Sequence, residues 1–255
     1  MNPAKSFDYR ALYDLSGRVA LVVGGGSGIG QAGAEGIAAF GAHVIVADVV
    51  VDDAKGVSEG IRDRGGKSSA VHVDVRETTA VERMVGEIVN EHGRLDVLLA
   101  TPAVNLRKRL LDYSDEEFDR VIELNLKGTF RVARASGRAM LQNRRGSIIL
   151  MSSMRAVNVE PGQSIYASTK AGIVQMTRGL AHALAPKIRV NAIAPGPVLL
   201  PEGWTQEQAD KLISTTPLRR LGAPEDVAHA VLYLLGADYV TGETIIVDGG
   251  RHVRS

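Results

Sequence analysis

Along this chain, short and continuous apolar runs alternate with longer segments of helical pattern. The runs Arg18–Val23, Val44–Ala47 (with Asp48 at its end), Ser69–Val73, Leu95–Leu99, Ser147–Met151, Arg189–Ile193 and Thr244–Val247 read as strands. Most are apolar throughout, as expected for strands covered on both faces of a parallel sheet. Between them, helices are predicted over Ile29–Phe40, Val51–Arg64, Thr78–Glu91, Asp115–Gln142, Ser164–Ala185 and Pro224–Leu235. Ser114-Asp115-Glu116-Glu117 spells a capping box, and Pro224-Glu225-Asp226 puts proline and acids in a first turn. The alternation runs to the end of the chain. It predicts an α/β protein with one doubly wound domain over residues 16–255, about seven parallel strands and helices on both faces. Residues 1–15 read as an arm outside the sheet.

Composition narrows the function classes. With 255 residues, 45% hydrophobic and 23% charged, the chain can bury a large core. A net charge of +1 gives no reason to expect a nucleic-acid partner, and pairs such as Arg144-Arg145 and Arg219-Arg220 read as solvated surface. No cysteine is present, which excludes disulfide and thiolate chemistry and fits a reducing compartment. The polar N-terminus lacks a signal-peptide core, and no apolar run approaches the roughly 20 residues that span a bilayer. A cytoplasmic protein without membrane contact is expected. The six histidines (His43, His72, His92, His182, His229 and His252) include no ligand-spaced pair, so no metal is expected.

After the first strand comes Gly24-Gly25-Gly26-Ser27-Gly28-Ile29-Gly30, spaced G-x-x-x-G-x-G and leading into a helix rich in alanine and glycine. Such a turn lets backbone approach a ligand closely and offers the free N–H groups of a helix N-terminus to a pyrophosphate. This marks the sheet as a Rossmann domain. Asp48 ends the second strand, where an acid accepts from ribose hydroxyls and repels a 2′-phosphate, which favours NAD(H). Asp74 fits either the adenine edge or the cap of the next helix. Further on stand Ser153, Tyr166 and Lys170. Tyr166 and Lys170, at i and i+4, share one helix face, so an ammonium beside the phenol would favour phenolate and make Tyr166 a candidate proton carrier. Alone, Y-x-x-x-K fits an ordinary helix equally.

Together these features resemble the short-chain dehydrogenase/reductase family. The likeness covers about residues 16–250: the glycine loop, Asp48, Asp74-Val75, Asn125 in LNLKGTF, Ser153, Tyr166-x-x-x-Lys170, Pro195-Gly196 and the closing TGETIIVDGG. The resemblance implies Tyr166 as general acid/base, Ser153 holding the substrate oxygen, Lys170 on the nicotinamide ribose, and Asn125 positioning a water. It places Gly24, Gly26, Ser27, Gly28, Ile29, Gly30, Asp74, Val75, Thr101, Pro195, Gly196 and Val198 against the cofactor, and implies a homotetramer. Three departures stand out. Val23 replaces the threonine before the glycine loop, Ala100-Thr101-Pro102-Ala103 replaces N-N-A-G, and Leu200 stands where a threonine often holds the carboxamide. They bear on cofactor affinity more than on proton transfer.

The substrate end is expected at Pro102–Leu111, Met154–Gln163 and Val198–Thr216, beyond the carboxyl ends of the strands. Arg155 fits a carboxylate clamp or an interface arginine; Trp204 fits a lid over substrate or an anchor for its loop. Pieces of the chain resemble sugar-acid members such as gluconate 5-dehydrogenases. PGPVLLPEGW resembles pteridine reductases, and 3-oxoacyl-carrier-protein reductases are a further alternative. A dinucleotide-binding sensor without turnover is the alternative outside enzymes.

Overall fold

The structure is a computed structural model, described here for residues 8–143, 145–158, 160–200 and 203–253. Residues 1–7 of the expected arm, Arg144 and Pro201 lie outside them. Seven strands form one parallel sheet: β1 (Val19–Val23), β2 (His43–Asp48), β3 (Lys67–His72), β4 (Val97–Ala100), β5 (Gly146–Met151), β6 (Ile188–Pro195) and β7 (Thr244–Val247). Their spatial order is β3-β2-β1-β4-β5-β6-β7. The order reverses between β1 and β4, and the crevice beyond their carboxyl ends is where such folds bind ligands.

The continuous apolar runs become two cores. In β1, Val19, Leu21 and Val23 pack with one buried cluster, whereas Ala20 and Val22 pack with another on the opposite face. All five are at most 6% exposed. A buried Val or Leu contributes about 1.5–3 kcal/mol, against roughly 1 kcal/mol for a helix cap, so the sheet more than the caps fixes where the site lies. β3 begins two residues earlier than expected. It is the edge strand, mostly half-buried, and so lacks the unbroken apolar signal of the centre.

Helices α1 (Gly28–Ala39), α2 (Val51–Asp63), α3 (Thr78–His92), α6 (Ser164–Leu184) and α8 (Pro224–Gly236) fall where the periodicity put them. The long helix expected over Asp115–Gln142 is instead α4 (Asp115–Ile122), a π-helical turn (Glu123–Gly128) and α5 (Thr129–Asn143). The Ser114 capping box starts α4: Glu117 N–H donates to the Ser114 hydroxyl at 3.3 Å, and Ser114 N–H to Glu117 at 2.9 Å. The π turn widens one coil and carries Asn125 into the interior, where it is 0% exposed. One helix was not expected: α7 (Gln206–Ser214), inside the segment read as a loop. The expected arm is partly docked, since Leu15 is 1% exposed and donates its N–H to the Phe40 carbonyl at 2.8 Å. Among the described residues no helix is long and apolar enough to cross a membrane.

Candidate active site

A cleft of about 480 Å³ opens at the carboxyl ends of the strands. Its wall includes Gly24, Ser27, Gly28, Ile29 and Gly30 from the glycine loop, then Asp48, Asp74, Val75 and Thr101. Ser153, Tyr166, Lys170, Pro195 and Gly196 line it too. Two glycines of the loop are sterically required. Gly24 has φ +76°, and a Cβ there would lie 2.6 Å from the Thr101 hydroxyl. A Cβ on Gly30 would lie 1.9 Å from the Gly24 carbonyl oxygen. The tight turn leaves the first N–H groups of α1 facing the cleft, an anion site.

Asp48 is held by backbone: its carboxylate accepts from Gly26 N–H at 2.9 Å and from Val50 N–H at 3.1 Å. A carboxylate has about four acceptor positions, so lone pairs remain for a ligand. Gly26 therefore supports the cleft without lining it. Asp74 does not cap α3, whose N-cap is Glu77. Arg76 grips it instead, with Nε at 3.0 Å and Nη2 at 2.6 Å, and this hydrogen-bonded cation holds the Asp74 carboxyl below its ordinary range. Thr101 replaces some of the bonding lost with N-N-A-G: its hydroxyl lies 2.9 Å from the Val23 carbonyl and 3.0 Å from that of Gly24, tying β4 to the glycine loop. Val198 does not line the cleft; it packs against the core beside Gly222. Leu199 takes a place in the wall, close to Gly28.

At the other end the strand-to-helix connection is locked reciprocally. The Ser152 hydroxyl donates to the Lys170 carbonyl at 2.8 Å, and the Lys170 ammonium donates to the Met151 carbonyl at 2.7 Å. Lys170 is 1% exposed, and burial pushes its pKa down to about 7. The expectation was that Lys170 lowers the Tyr166 pKa, but Lys170 is not among the groups that act on it. Burial raises Tyr166, and the groups that offset it are Ser153, a hydrogen-bonding neighbour, and the charge of Arg155. The reason is position: Lys170 Nζ sits 5.5 Å from the Tyr166 ring centroid, over the ring, and is itself partly discharged at neutral pH.

Asn125 uses its side-chain amide in three hydrogen bonds within the fold. Its Oδ1 accepts from Val104 N–H at 2.8 Å, while Nδ2 donates to the Val104 carbonyl at 2.9 Å and to the Thr169 hydroxyl at 3.2 Å. Thr169 in turn donates to the Tyr166 carbonyl at 2.7 Å. Asn125 thus fastens the loop after β4 to the helix that carries Tyr166.

Arg155 and Trp204 do not line the cleft. Arg155 pairs with Glu160 at 2.6 Å and donates to Asn158 at 3.1 Å, and its charge acts on Tyr166. Trp204 lies under the Arg107 guanidinium at 5.5 Å, one residue before the capping box in which Thr205 accepts from Gln208 N–H at 3.3 Å. That T-x-x-Q spacing was a legible start signal for α7. Arg76, Leu199 and Glu160 are the site residues that sequence reasoning missed; nothing in their local spacing marks them. Among the described residues no group of three or more His, Asp or Glu could hold a metal ion.

A fold with a nucleotide crevice at the β1/β4 reversal and a Ser-Tyr-Lys set at its end belongs to a nicotinamide-dependent oxidoreductase. The chain is a member of the short-chain dehydrogenase/reductase family. A family described as Enoyl-(Acyl carrier protein) reductase matches residues 24–252. The chain is 39% identical to the short-chain reductase protein NovJ of Streptomyces niveus, covering 91% of this chain and 93% of that one. It is 36% identical to the 3-oxoacyl-[acyl-carrier-protein] reductase FabG of Thermotoga maritima (92% and 98% covered). Identity is 35% to an NAD-dependent glycerol dehydrogenase of Listeria innocua (95% and 96%). Among solved structures, a 7α-hydroxysteroid dehydrogenase complexed with NADH and 7-oxo glycochenodeoxycholic acid superposes with a TM-score of 0.91 at 34% identity (96% and 97%). A putative gluconate dehydrogenase from Agrobacterium tumefaciens gives 0.90 at 28% (96% and 99%).

Proposed function

We propose that the protein interconverts a secondary alcohol and a ketone with NAD(H), acting on a sugar acid, polyol or similarly small polar substrate. One observation carries this reading: Ser153, Tyr166 and Lys170 line the same cleft that Asp48 lines at its far end. The bound nicotinamide supplies the hydride acceptor or donor. Gly24–Gly30 would hold the pyrophosphate, Asp48 the adenosine ribose, Asp74 and Val75 the adenine side, and Lys170, Pro195 and Gly196 the nicotinamide end. Ser153 holds the substrate oxygen. Tyr166 gives or takes the proton at that oxygen; its raised pKa keeps it protonated at neutral pH, ready to act as the acid in ketone reduction. In the oxidising direction the proton leaves more easily once Lys170 is charged. Asn125 acts as a positioning residue, since its side chain is spent on Val104 and Thr169.

NAD(H) is preferred over NADP(H) because Asp48 repels a 2′-phosphate, and Arg76, the guanidinium in the cleft wall, is committed to Asp74. The NAD-dependent glycerol dehydrogenase and the NADH-bound steroid dehydrogenase among its relatives support the same choice. The FabG relatives favour a second reading, reduction of a 3-oxoacyl group on a carrier protein. The assembly proposed is a homotetramer in the cytoplasm, built on α4, α5 and α6; exposed Phe118, Phe130 and Leu141 support this, and sedimentation would measure it.

The test is Tyr166→Phe. Turnover of any accepted alcohol should fall about a hundred- to ten-thousand-fold while NADH binding stays within about twofold, read by NADH fluorescence. Wild-type turnover in that variant would overturn the mechanism. Screening polyols, sugar acids and 3-oxoacyl thioesters at the NADH absorbance separates the two substrate readings.

A further inference from the structure

Three arginines from three separate segments lie within electrostatic reach of one another and, through Arg155, of Tyr166. Arg107 comes from the connection after β4, Arg155 from the turn after Ser153, and Arg251 from the 3₁₀ turn Arg251–Val253 that follows β7. The charges of Arg107 and Arg251 both bear on the Arg155 guanidinium, and that of Arg155 bears on the Tyr166 phenol. One carboxylate answers them, Glu160, bound to Arg155 at 2.6 Å. The hydrogen bonds of the other two go to neutral acceptors. Arg107 donates to the Gln163 side-chain oxygen at 3.1 Å and covers Trp204, while Arg251 donates to the Leu212 carbonyl at 3.3 Å and to the Thr215 hydroxyl. Among the described residues neither has an ion pair. Among the described residues, three guanidinium groups and one carboxylate leave two of these positive charges without an ion pair.

The partners of these arginines say what shape of anion fits. Arg155 is largely withdrawn from solvent, its side chain 13% exposed, whereas the Glu160 side chain is 31% exposed. A half-buried guanidinium with no anion is costly, because burial disfavours its charge; a planar fork is best satisfied by a planar carboxylate. Glu160 supplies one from within the chain. It lies in the connection between the 3₁₀ turn Met154–Ala156 and α6, two residues before Gly162, where φ is +77°. Arg107 and Arg251 also contact the two ends of α7, at Trp204 just before it and at Leu212 within its last turn.

We propose that Arg155, supported by Arg107 and Arg251, is the binding site for a substrate carboxylate, and that Glu160 is the internal counter-ion which this carboxylate displaces. The substrate class is therefore a hydroxy or keto acid in place of a neutral polyol. Glu160 sets the threshold: a ligand without an acid group leaves the internal pair intact and gains nothing from the three arginines. This rests on the reading of the cleft as an alcohol-oxidising site, but its test does not require turnover.

The experiment uses the full chain saturated with NADH, titrated with gluconate and with sorbitol, its neutral counterpart. Binding is read by calorimetry and by the fluorescence of Trp204, the single tryptophan in the chain. Gluconate should bind about tenfold more tightly than sorbitol, the worth of one good charge-assisted pair. Glu160→Gln should tighten gluconate severalfold more and leave sorbitol unchanged. Arg155→Ala should erase the difference between the two ligands, with NADH binding preserved as the check on folding. Equal binding of the two ligands by the wild-type protein would overturn the proposal. So would weaker gluconate binding in Glu160→Gln, because Glu160 would then be holding Arg155 in place and not competing for it. Intact gluconate discrimination without oxidation of any alcohol would count against the catalytic reading alone.

Discussion

The two ends of the cleft are built from different materials. The cofactor end is backbone: glycines at a strand-to-helix turn, N–H groups at a helix start, and an aspartate held by two amides. The proposed substrate end is side chain on connecting segments, where the charges of Arg107 and Arg251 act on Arg155. The first kind of site is rigid and serves one ligand class; the second can be retuned by single substitutions without touching the sheet. Breaking each end should therefore fail in different ways.

The largest effect is expected at the backbone end. Gly30→Ala puts a Cβ where the Gly24 carbonyl oxygen already lies at 1.9 Å, so the turn must open. NADH affinity should fall by about a hundredfold or more, or the protein should lose its fold, which circular dichroism would distinguish. Gly86→Ala is the matched control. It lies within α3 with nothing within 4 Å of an added Cβ, and should raise stability by about 0.5–1 kcal/mol. Normal NADH binding by Gly30→Ala would refute the claim that this end is fixed by backbone.

Next comes cofactor choice. Asp48→Ser should shift the ratio of NADPH to NADH affinity by about tenfold toward NADPH. Adding Asp74→Ala should shift it further, because Arg76 loses the carboxylate that now occupies it. A double variant no more tolerant of NADPH than the single one would remove Arg76 from the argument.

This difference in materials also explains what could be read from the sequence. The glycine loop and Asp48 were legible because each obeys a local constraint, a strained turn and a strand end, whereas Ser153, Tyr166 and Lys170 stood out as a set only through the family resemblance. The seven strands were legible because a doubly covered sheet writes unbroken apolar runs, although β3 starts two residues before and β4 two residues after the expected position. Arg76 and Glu160 were not legible. Their roles depend on what folding brings against them, which no periodicity encodes. The direction of the Tyr166 shift was misjudged for the same reason: spacing places Lys170 on the right face but says nothing of its burial. The π turn at Glu123–Gly128 likewise arises from Asn125 reaching the interior of an otherwise regular helical pattern.

Asn125 is the join between the two ends, so its loss should be felt at both. Asn125→Ala strips the Val104 N–H and carbonyl of their partners in the interior. Stability should drop by about 1–3 kcal/mol, lowering Tm by roughly 2–4 °C per kcal/mol in a chain of this size. Asn125→Asp can still accept from Val104 N–H but cannot donate to its carbonyl or to Thr169, and should recover only part of the loss. Full stability in the alanine variant, by thermal melting, would show that the loop after β4 is held some other way.

The smallest effect separates binding from folding at Lys170. Its pKa falls from 10.5 in the unfolded chain to about 7 in the fold. Between those values the unfolded state binds the extra proton, so native stability rises with pH over that window. Below about pH 7 both states are protonated and the penalty for burying the charge is complete. Lys170→Met keeps the apolar stem, removes the charge, and so escapes this penalty. Without cofactor, Lys170→Met should melt above the wild-type protein at pH 7, and the gap should narrow by a few degrees at pH 9. A gap independent of pH would mean that the Lys170 pKa is the same folded and unfolded, so that burial does not displace it. If the gap widened with pH, the sign of the shift itself would be wrong, and the lysine would have to be charged and paired before any ligand arrives.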